Sequence, residues 1–344
     1  GRYGGAILGV DCVSSPLIFG LPLNGVGPVA EIADTDGGLL DNDSVWDRAV
    51  GPMQFIPSTW AIAGVDADGD DVRSPHDIHD AALAAHAAPG LETTDLDAGT
   101  HTRLFATSSG PAAGTVRFGP GAPSLAVETD PATAAVITTA VRRWLDLDTD
   151  PETVRGVLGQ DPLVGPLLAA RPGLRIPGYL DGFEGAVCTV LGQQVSLAAA
   201  RTFTGRLVSA FSSSGPAGLH PFPAPSTLAA AGAERIQQAV GLTGARSRTV
   251  HALANACADG LAIDPEGDHA GIRRRLLALP GIGPWTVDYL AMRALGDRDA
   301  YPEGDLVLKR ALGVRSVQEV RAHGEAWRPL RAYAVFQLWT AAAY

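Results

Sequence analysis

The stretch Leu279-Pro280-Gly281-Ile282-Gly283-Pro284-Trp285 sets two glycines around one isoleucine. Two glycines permit a tight turn with positive φ. Pro284 suits the first turn of a following helix. The N–H groups of Gly281, Gly283 and Trp285 would then meet at a helix N-terminus, an arrangement that holds a phosphate without any basic side chain. An ordinary corner between two helices has the same pattern, so the string does not decide by itself. Trp285, Tyr289 and Met292 follow at i, i+4 and i+7, which puts two aromatic rings on one helix face. Asp305 comes after the turn-rich stretch 296–304 and just before the apolar-periodic Leu306–Arg310. There it can cap the helix, and its carboxylate faces the positive helix end. Lys309 is the sole lysine among 26 basic residues, so chemistry that needs a lysine amine has one candidate.

Helical elements must position these groups. From Pro131 onward the pattern is helical almost to the end, with Thr133–Leu147, Pro151–Leu158, Ala224–Val240, Ala245–Asp259 and Gly271–Leu279 as segments. Between Asp181 and Phe211, apolar residues recur every four positions: Phe183, Val187, Leu191, Val195, Ala199, Phe203, Leu207 and Phe211. The polar Gly192-Gln193-Gln194 interrupts that buried stripe. Ahead of the helices, Thr102–Thr107, Gly114–Phe118 and Ser124–Glu128 read as short strands between Gly/Pro turns. Residues 1–60 are loop-rich, with a turn-forming cluster from Asp34 to Asp43. Helical character is expected around Val50–Ala63 and again from Asp77 to about Ala87.

The chain has 344 residues, 46% hydrophobic and 18% charged, enough for two or more packed domains and unlike a disordered protein. Its net charge of −11 argues against nucleic acid only if evenly spread. Residues 1–90 carry 13 acidic against 3 basic residues, 91–170 carry 10 against 5, and 171–344 carry 14 against 18. The helical half is thus mildly basic. Cys12, Cys188 and Cys257 have no metal or iron–sulfur spacing and read as free thiols. No apolar run reaches membrane-spanning length and no signal peptide is visible, which gives a cytoplasmic expectation with no membrane partner.

The residues 279–283, Trp285, Tyr289, Gly304-Asp305 and Lys309-Arg310 resemble the helix–hairpin–helix DNA glycosylase superfamily, closest to the 3-methyladenine DNA glycosylase II group. Gly182-Phe183-Glu184 through Gln193-Gln194-Val195-Ser196 looks like that family's opening helix and base-wedge loop. Residues 171–178 look like its linker, and Trp327-Arg328-Pro329 through Trp339 look like its C-terminal helix. Coverage runs from roughly Ala84 to Tyr344. The resemblance implies double-stranded DNA with alkylated bases as partner, a monomer, and no required cofactor. A damaged purine is flipped into a pocket of Trp285, Tyr289 and Trp339, whose ring faces attract a cationic base. Asp305 stabilises charge on the sugar and orients the attacking water. Gln193 and Gln194 form the wedge, and Gly281, Ile282, Gly283 and Thr286 meet the DNA backbone. The carbonyls of Leu277, Leu279 and Ile282 could hold a monovalent cation. Members that also cut the strand carry a Lys two residues after the last hairpin Gly. Trp285 stands there instead, so the expectation is base release without strand cleavage. Gln194 departs from a Leu wedge and is more polar.

Residues 1–85 resemble something else. Asp47 through Trp60, containing Gly51-Pro52-Met53-Gln54-Phe55-Ile56-Pro57-Ser58-Thr59-Trp60, is similar to secreted lytic murein transglycosylases of the lysozyme-like type. The family's catalytic Glu lies just before the Gly-Arg-Tyr-Gly-Gly that opens this chain, so the segment reads as a truncated, inactive fragment. Asp66, Asp68, Asp70, Val72, Ser74 and Asp77 fall at positions 1, 3, 5, 7, 9 and 12 of an EF-hand-like loop that could take Ca2+. Asp71 replaces the Gly at position 6, and Asp77 the longer Glu at position 12. The expected fold is α+β and mostly α: a lysozyme-like fragment over 1–85, a partial and truncated antiparallel β domain with helix over 86–170, and an all-helical glycosylase domain over 171–344. The expected function is a monofunctional DNA-3-methyladenine glycosylase of base excision repair. The alternative is a peptidoglycan-binding or lytic transglycosylase-type protein built on residues 1–85.

Overall fold

A computed structural model describes residues 7–8, 14–15, 19–24, 32–50, 88–95, 98–107, 110–118, 123–195 and 197–343. At the N-terminal end, β1 (Ile7–Leu8) pairs antiparallel with β2 (Ser14–Ser15), and β3 (Phe19–Pro22) with β4 (Arg48–Val50). Val50 therefore ends a strand instead of opening a helix. The acidic turn between them is tied by its own carboxylates. Asp34 accepts the N–H groups of Asp36, Gly37 and Gly38, and Asp47 is buried against Thr35. This is the local bonding for which Asp is favoured in turns. The Gly51–Trp60 string, the expected helices at 51–63 and 77–87, and Asp66, Asp68, Asp70 and Asp77 lie outside the described residues.

A four-stranded antiparallel sheet follows, in the order β5 (Glu92–Asp95), β6 (Thr100–Thr107), β7 (Gly110–Arg117), β8 (Ser124–Val127). Burial alternates along it: Arg103, Phe105, Gly114 and Val116 face inward. A Cβ on Gly114 would stand 2.6 Å from the Phe105 ring, so only glycine fits at that crossing. Helix α1 (Pro131–Trp144) covers this face with Ile137 and Val141. Asp130 caps it and Pro131 occupies its first position. The pair Asp150-Pro151 starts α2 (Pro151–Leu158) in the same way. Because both signals are local, α2 has the bounds that its sequence suggests.

After α3 (Val164–Ala170), the linker leads to α4 (Gly182–Leu191), the central helix. Ala186, Val187, Val190 and Leu191 have no exposed surface, and neighbours cover α4 on all sides. The stripe breaks at Gly192–Val195 and resumes as α5 (Leu197–Phe211). The segment read as one helix over Ala224–Val240 is two, α6 (Pro225–Ala231) and α7 (Ala233–Val240). Gly232 at φ +80° parts them, a conformation a helix interior does not contain. Then come α8 (Gly244–Ala258), α9 (His269–Leu277), α10 (Pro284–Arg293), α11 (Leu306–Leu312), α12 (Val317–Gly324) and α13 (Arg331–Ala343). One apolar core joins α4, α8, α9, α10 and α13. The sheet is tied to it by a buried ion pair, Arg103 with Glu184 at 2.7 Å. Among the described residues no helix is long and apolar enough to cross a membrane.

Candidate active site

The hairpin between α9 and α10 is fixed from below. Gly281 has φ +79°, and a Cβ there would lie 2.1 Å from Thr249 Oγ1 on α8. Both facts exclude other residues. Ile282 sends its side chain into the core and anchors the turn. Gly283 caps α10 without any side-chain hydrogen bond, and Pro284 follows. Among the described residues, no acceptor meets the N–H of Gly281, Gly283, Trp285 or Thr286. Four free donors at one helix start are an anion site made of backbone alone. Thr286 itself is buried, and its hydroxyl accepts the Gln193 amide at 3.3 Å. Its backbone N–H is free at the helix start, while its side chain holds the Gly192–Val195 loop. The carbonyl of Leu279 accepts Ile282 N–H at 3.3 Å, and Leu277 is half exposed on the rim.

Asp305 lies at the start of α11, only 7% exposed. Its Oδ1 accepts the Leu308 N–H at 2.8 Å and the Trp339 indole N–H at 3.1 Å. Its Oδ2 accepts the Trp285 indole N–H at 2.8 Å. Three residues from three helices thus hold one carboxylate, and Oδ2 keeps the greater free acceptor capacity. Capping and charge presentation coexist, as the sequence suggests.

The rings gather at the same point. Trp285 stacks on Tyr289 with centroids 5.1 Å apart and planes 13° apart. Trp339 leans on both at 6.4 and 6.1 Å. Sequence reasoning placed Met292 on this face, but Met292 is buried in the core. Arg293, four residues after Tyr289, takes its place. Its guanidinium lies 5.5 Å from the Tyr289 ring centre, 5.0 Å from Tyr179 and 5.7 Å from Phe336, and donates to Tyr289 Oη at 2.8 Å. Tyr289 is therefore stacked on Trp285 and also meets a cation at its ring and hydroxyl. Trp285, 37% exposed, offers the open ring surface.

These groups border a cleft of about 970 Å³ between the sheet and the helical body. Trp285, Tyr289, Gln193 and Gln194 line it, and Asp305, bonded to the Trp285 and Trp339 indoles, adjoins them. The loop at Gly192–Val195 is braced: Gln193 donates to Gly281 O at 3.3 Å, and Arg246 donates to the Gln193 carbonyl. Gln194 is exposed, with φ +56°. The lining also carries Glu92, His101, Arg103, Glu184 and Arg201, a polar group missed in the sequence because its residues come from β5, β6, α4 and α5. Burial would push the Glu92 carboxyl up, but His101, 3.4 Å away, and the Arg103 charge outweigh it and hold the group below its ordinary value. Burial likewise opposes the Arg103 charge, yet Glu184 and Glu92 keep that guanidinium above its usual value. Cys188 also lines the cleft, but burial pushes its thiol up and makes it a poor nucleophile.

The profile of the AlkA N-terminal domain family matches residues 71–181, and that of the HhH-GPD superfamily base excision DNA repair proteins matches 187–322. The Probable bifunctional transcriptional activator/DNA repair enzyme AlkA of Mycobacterium tuberculosis is 37% identical over 332 residues, covering 92% of this chain and 65% of that protein. The chain thus spans just under two thirds of that relative's length. DNA-3-methyladenine glycosylase 2 of Escherichia coli is 35% identical over 210 residues, covering 60% of this chain and 72% of that protein. Among solved structures, the 3-methyladenine DNA glycosylase from Archaeoglobus fulgidus superimposes with a TM-score of 0.63 at 20% identity, over 73% of this chain and 89% of that one. This last likeness is one of fold.

Proposed function

The chain belongs to the HhH-GPD superfamily of base excision DNA repair proteins, in the group of DNA-3-methyladenine glycosylase 2, and on that premise we propose that it releases alkylated purines from double-stranded DNA without cutting the strand. The observation that carries this reading is the Asp305 carboxylate, held by two indole N–H groups and one backbone N–H beside an aromatic wall. The hairpin's free N–H groups take a DNA phosphate. Gln193 and Gln194 fill the gap in the duplex, and the extruded base lies on Trp285 within the cleft. As the N-glycosidic bond breaks, its electron pair leaves with the base and positive charge gathers on the sugar. Asp305 Oδ2 faces that charge and orients the water that attacks it. A cationic base leaves readily, and the ring faces favour it while it is bound.

Strand cleavage needs an amine that attacks the sugar carbon. Trp285 occupies the hairpin position where such a lysine would stand, and Lys309 is not among the residues lining the cleft. The product is then a base-free site. No cofactor is needed. A monovalent cation at the hairpin would take the carbonyls of Leu277, Leu279 and Ile282, and the one long contact made by the Leu279 carbonyl leaves it acceptor capacity. The protein would act as a monomer in the cytoplasm.

The test is Asp305→Asn on methylated duplex DNA. Base release is lost while DNA binding survives; a variant with full release would sink the assignment.

A further inference from the structure

Arg201 lies on the second turn of α5 and lines the same cleft as Trp285 and Tyr289. Among the described residues its side chain makes no hydrogen bond and no ion pair, and its NH1 is buried without an acceptor. The other guanidiniums of the cleft are engaged. Arg103 holds Glu184, with Glu92 beyond it at 3.7 Å, and Arg293 donates to Tyr289 Oη. Even so, Arg103 Nε, Arg293 Nε and His101 Nε2 also lack hydrogen-bond partners. His101 Nε2 stands 3.4 Å from Glu92 Oε2, close enough for charge attraction but outside hydrogen-bond geometry. The chamber is therefore rich in unmet N–H donors, with two carboxylates against three guanidiniums. Leaving such donors buried and unpaired is costly, so a guest that brings an acceptor is favoured.

We infer that Arg201 is a specificity-determining residue, which selects guanine-derived over adenine-derived lesions within the glycosylase reading on which this inference rests. Guanine carries a carbonyl oxygen at position 6, and alkylation at N7 leaves that acceptor in place. A guanidinium donates to it directly. Adenine carries an amino group at the same position, which would set donor against donor. A site built to bond one edge rejects the base that cannot answer, because its own polar groups then stay unpaired. The aromatic wall does not discriminate, since both lesions present a cationic ring face.

The experiment uses duplex DNA treated with dimethyl sulfate, which carries 7-methylguanine and 3-methyladenine in one substrate. Released bases are separated and quantified for the full chain and for Arg201→Ala, with spontaneous loss subtracted. The ratio of initial rates, 7-methylguanine over 3-methyladenine, falls by roughly tenfold or more in the variant. A smaller change in that ratio overturns the inference, whatever happens to the two absolute rates. Arg201→Lys, which keeps the charge but not the planar fork, gives an intermediate ratio if hydrogen-bond geometry does the selecting. A ratio for the Lys variant equal to the parent's would mean that charge alone acts and would overturn the hydrogen-bond account. If the parent chain releases neither base, the glycosylase reading itself fails, an outcome plainly different from an unchanged ratio.

Discussion

Asp305 caps α11 through Leu308 N–H and presents its second oxygen beside Trp285. The two roles can be separated by mutation at the partners. Trp285→Phe keeps a ring on Tyr289 but removes the indole N–H. A hydrogen bond to a charged group contributes about 1.5–3 kcal/mol. If it steadies the carboxylate in the transition state, base release falls by about 10–100-fold. DNA affinity, measured on a duplex with an uncleavable abasic analogue, changes little by comparison. An equal loss of both would mean that Trp285 serves binding alone. Trp285 and Asp305 were legible in the sequence because turn-forming residues and the onset of a helix mark both positions. Arg293 was not: its role depends on Tyr179 and Phe336, which arrive from the linker and α13.

The hairpin is an element whose shape is set by its neighbours. Gly281→Ala adds a Cβ at positive φ against Thr249, which costs about 1–3 kcal/mol or moves the turn. Weakened DNA binding with a lowered melting temperature is expected; unchanged binding would show that the turn does not hold phosphate. The helices on either side are linked by Arg273 of α9, which bonds Asp288 of α10 and reaches Asp297 at 3.3 Å. Burial pushes the Asp288 carboxyl up to about 6, against the pull of Arg273. The folded protein thus holds this proton more tightly than the unfolded chain does. The side chain favours folding at low pH, and that advantage fades as pH rises from about 4 through about 6. Asp288→Asn should flatten the fall by on the order of 1 kcal/mol, after allowing for solvent screening. Urea midpoints across that range check it, and parallel curves for parent and variant would refute it.

Across the whole molecule, the cleft exists because the sheet is held against α4. Arg103 and Glu184, each 7% exposed, make that tie. Glu184→Ala strands a buried guanidinium and should lower stability by about 3–5 kcal/mol. Replacing both, Arg103→Met with Glu184→Leu, should recover most of the loss in denaturant titrations. Failure to recover would mean that the pair supplies geometry which apolar packing cannot. The charge distribution has its meaning at this scale too. The whole chain carries −11, yet residues 171–344, with the hairpin and Asp305, carry four more basic than acidic residues. On the proposed reading, backbone N–H groups of the hairpin supply the rest of the attraction for phosphate.

Local signals settled what is local. The pairs Asp130-Pro131 and Asp150-Pro151 start helices, Gly281 and Gly283 force a turn, and the four-residue stripe buries α4. Each needs only neighbours in the chain, so sequence alone determined these helices, the hairpin turn and the carboxylate at the start of α11. The polar edge strand β5 escaped notice because four residues, Glu92–Asp95, carry no apolar alternation. Gly232 divided a helix that periodicity had left whole. Only the tertiary structure decided that Trp285 and Trp339 hold Asp305 from separate helices, and that Arg201 stands without a partner among donors from other elements. The physical reason is that a side chain's partners and its burial are set by segments far away in sequence, on which a motif carries no information.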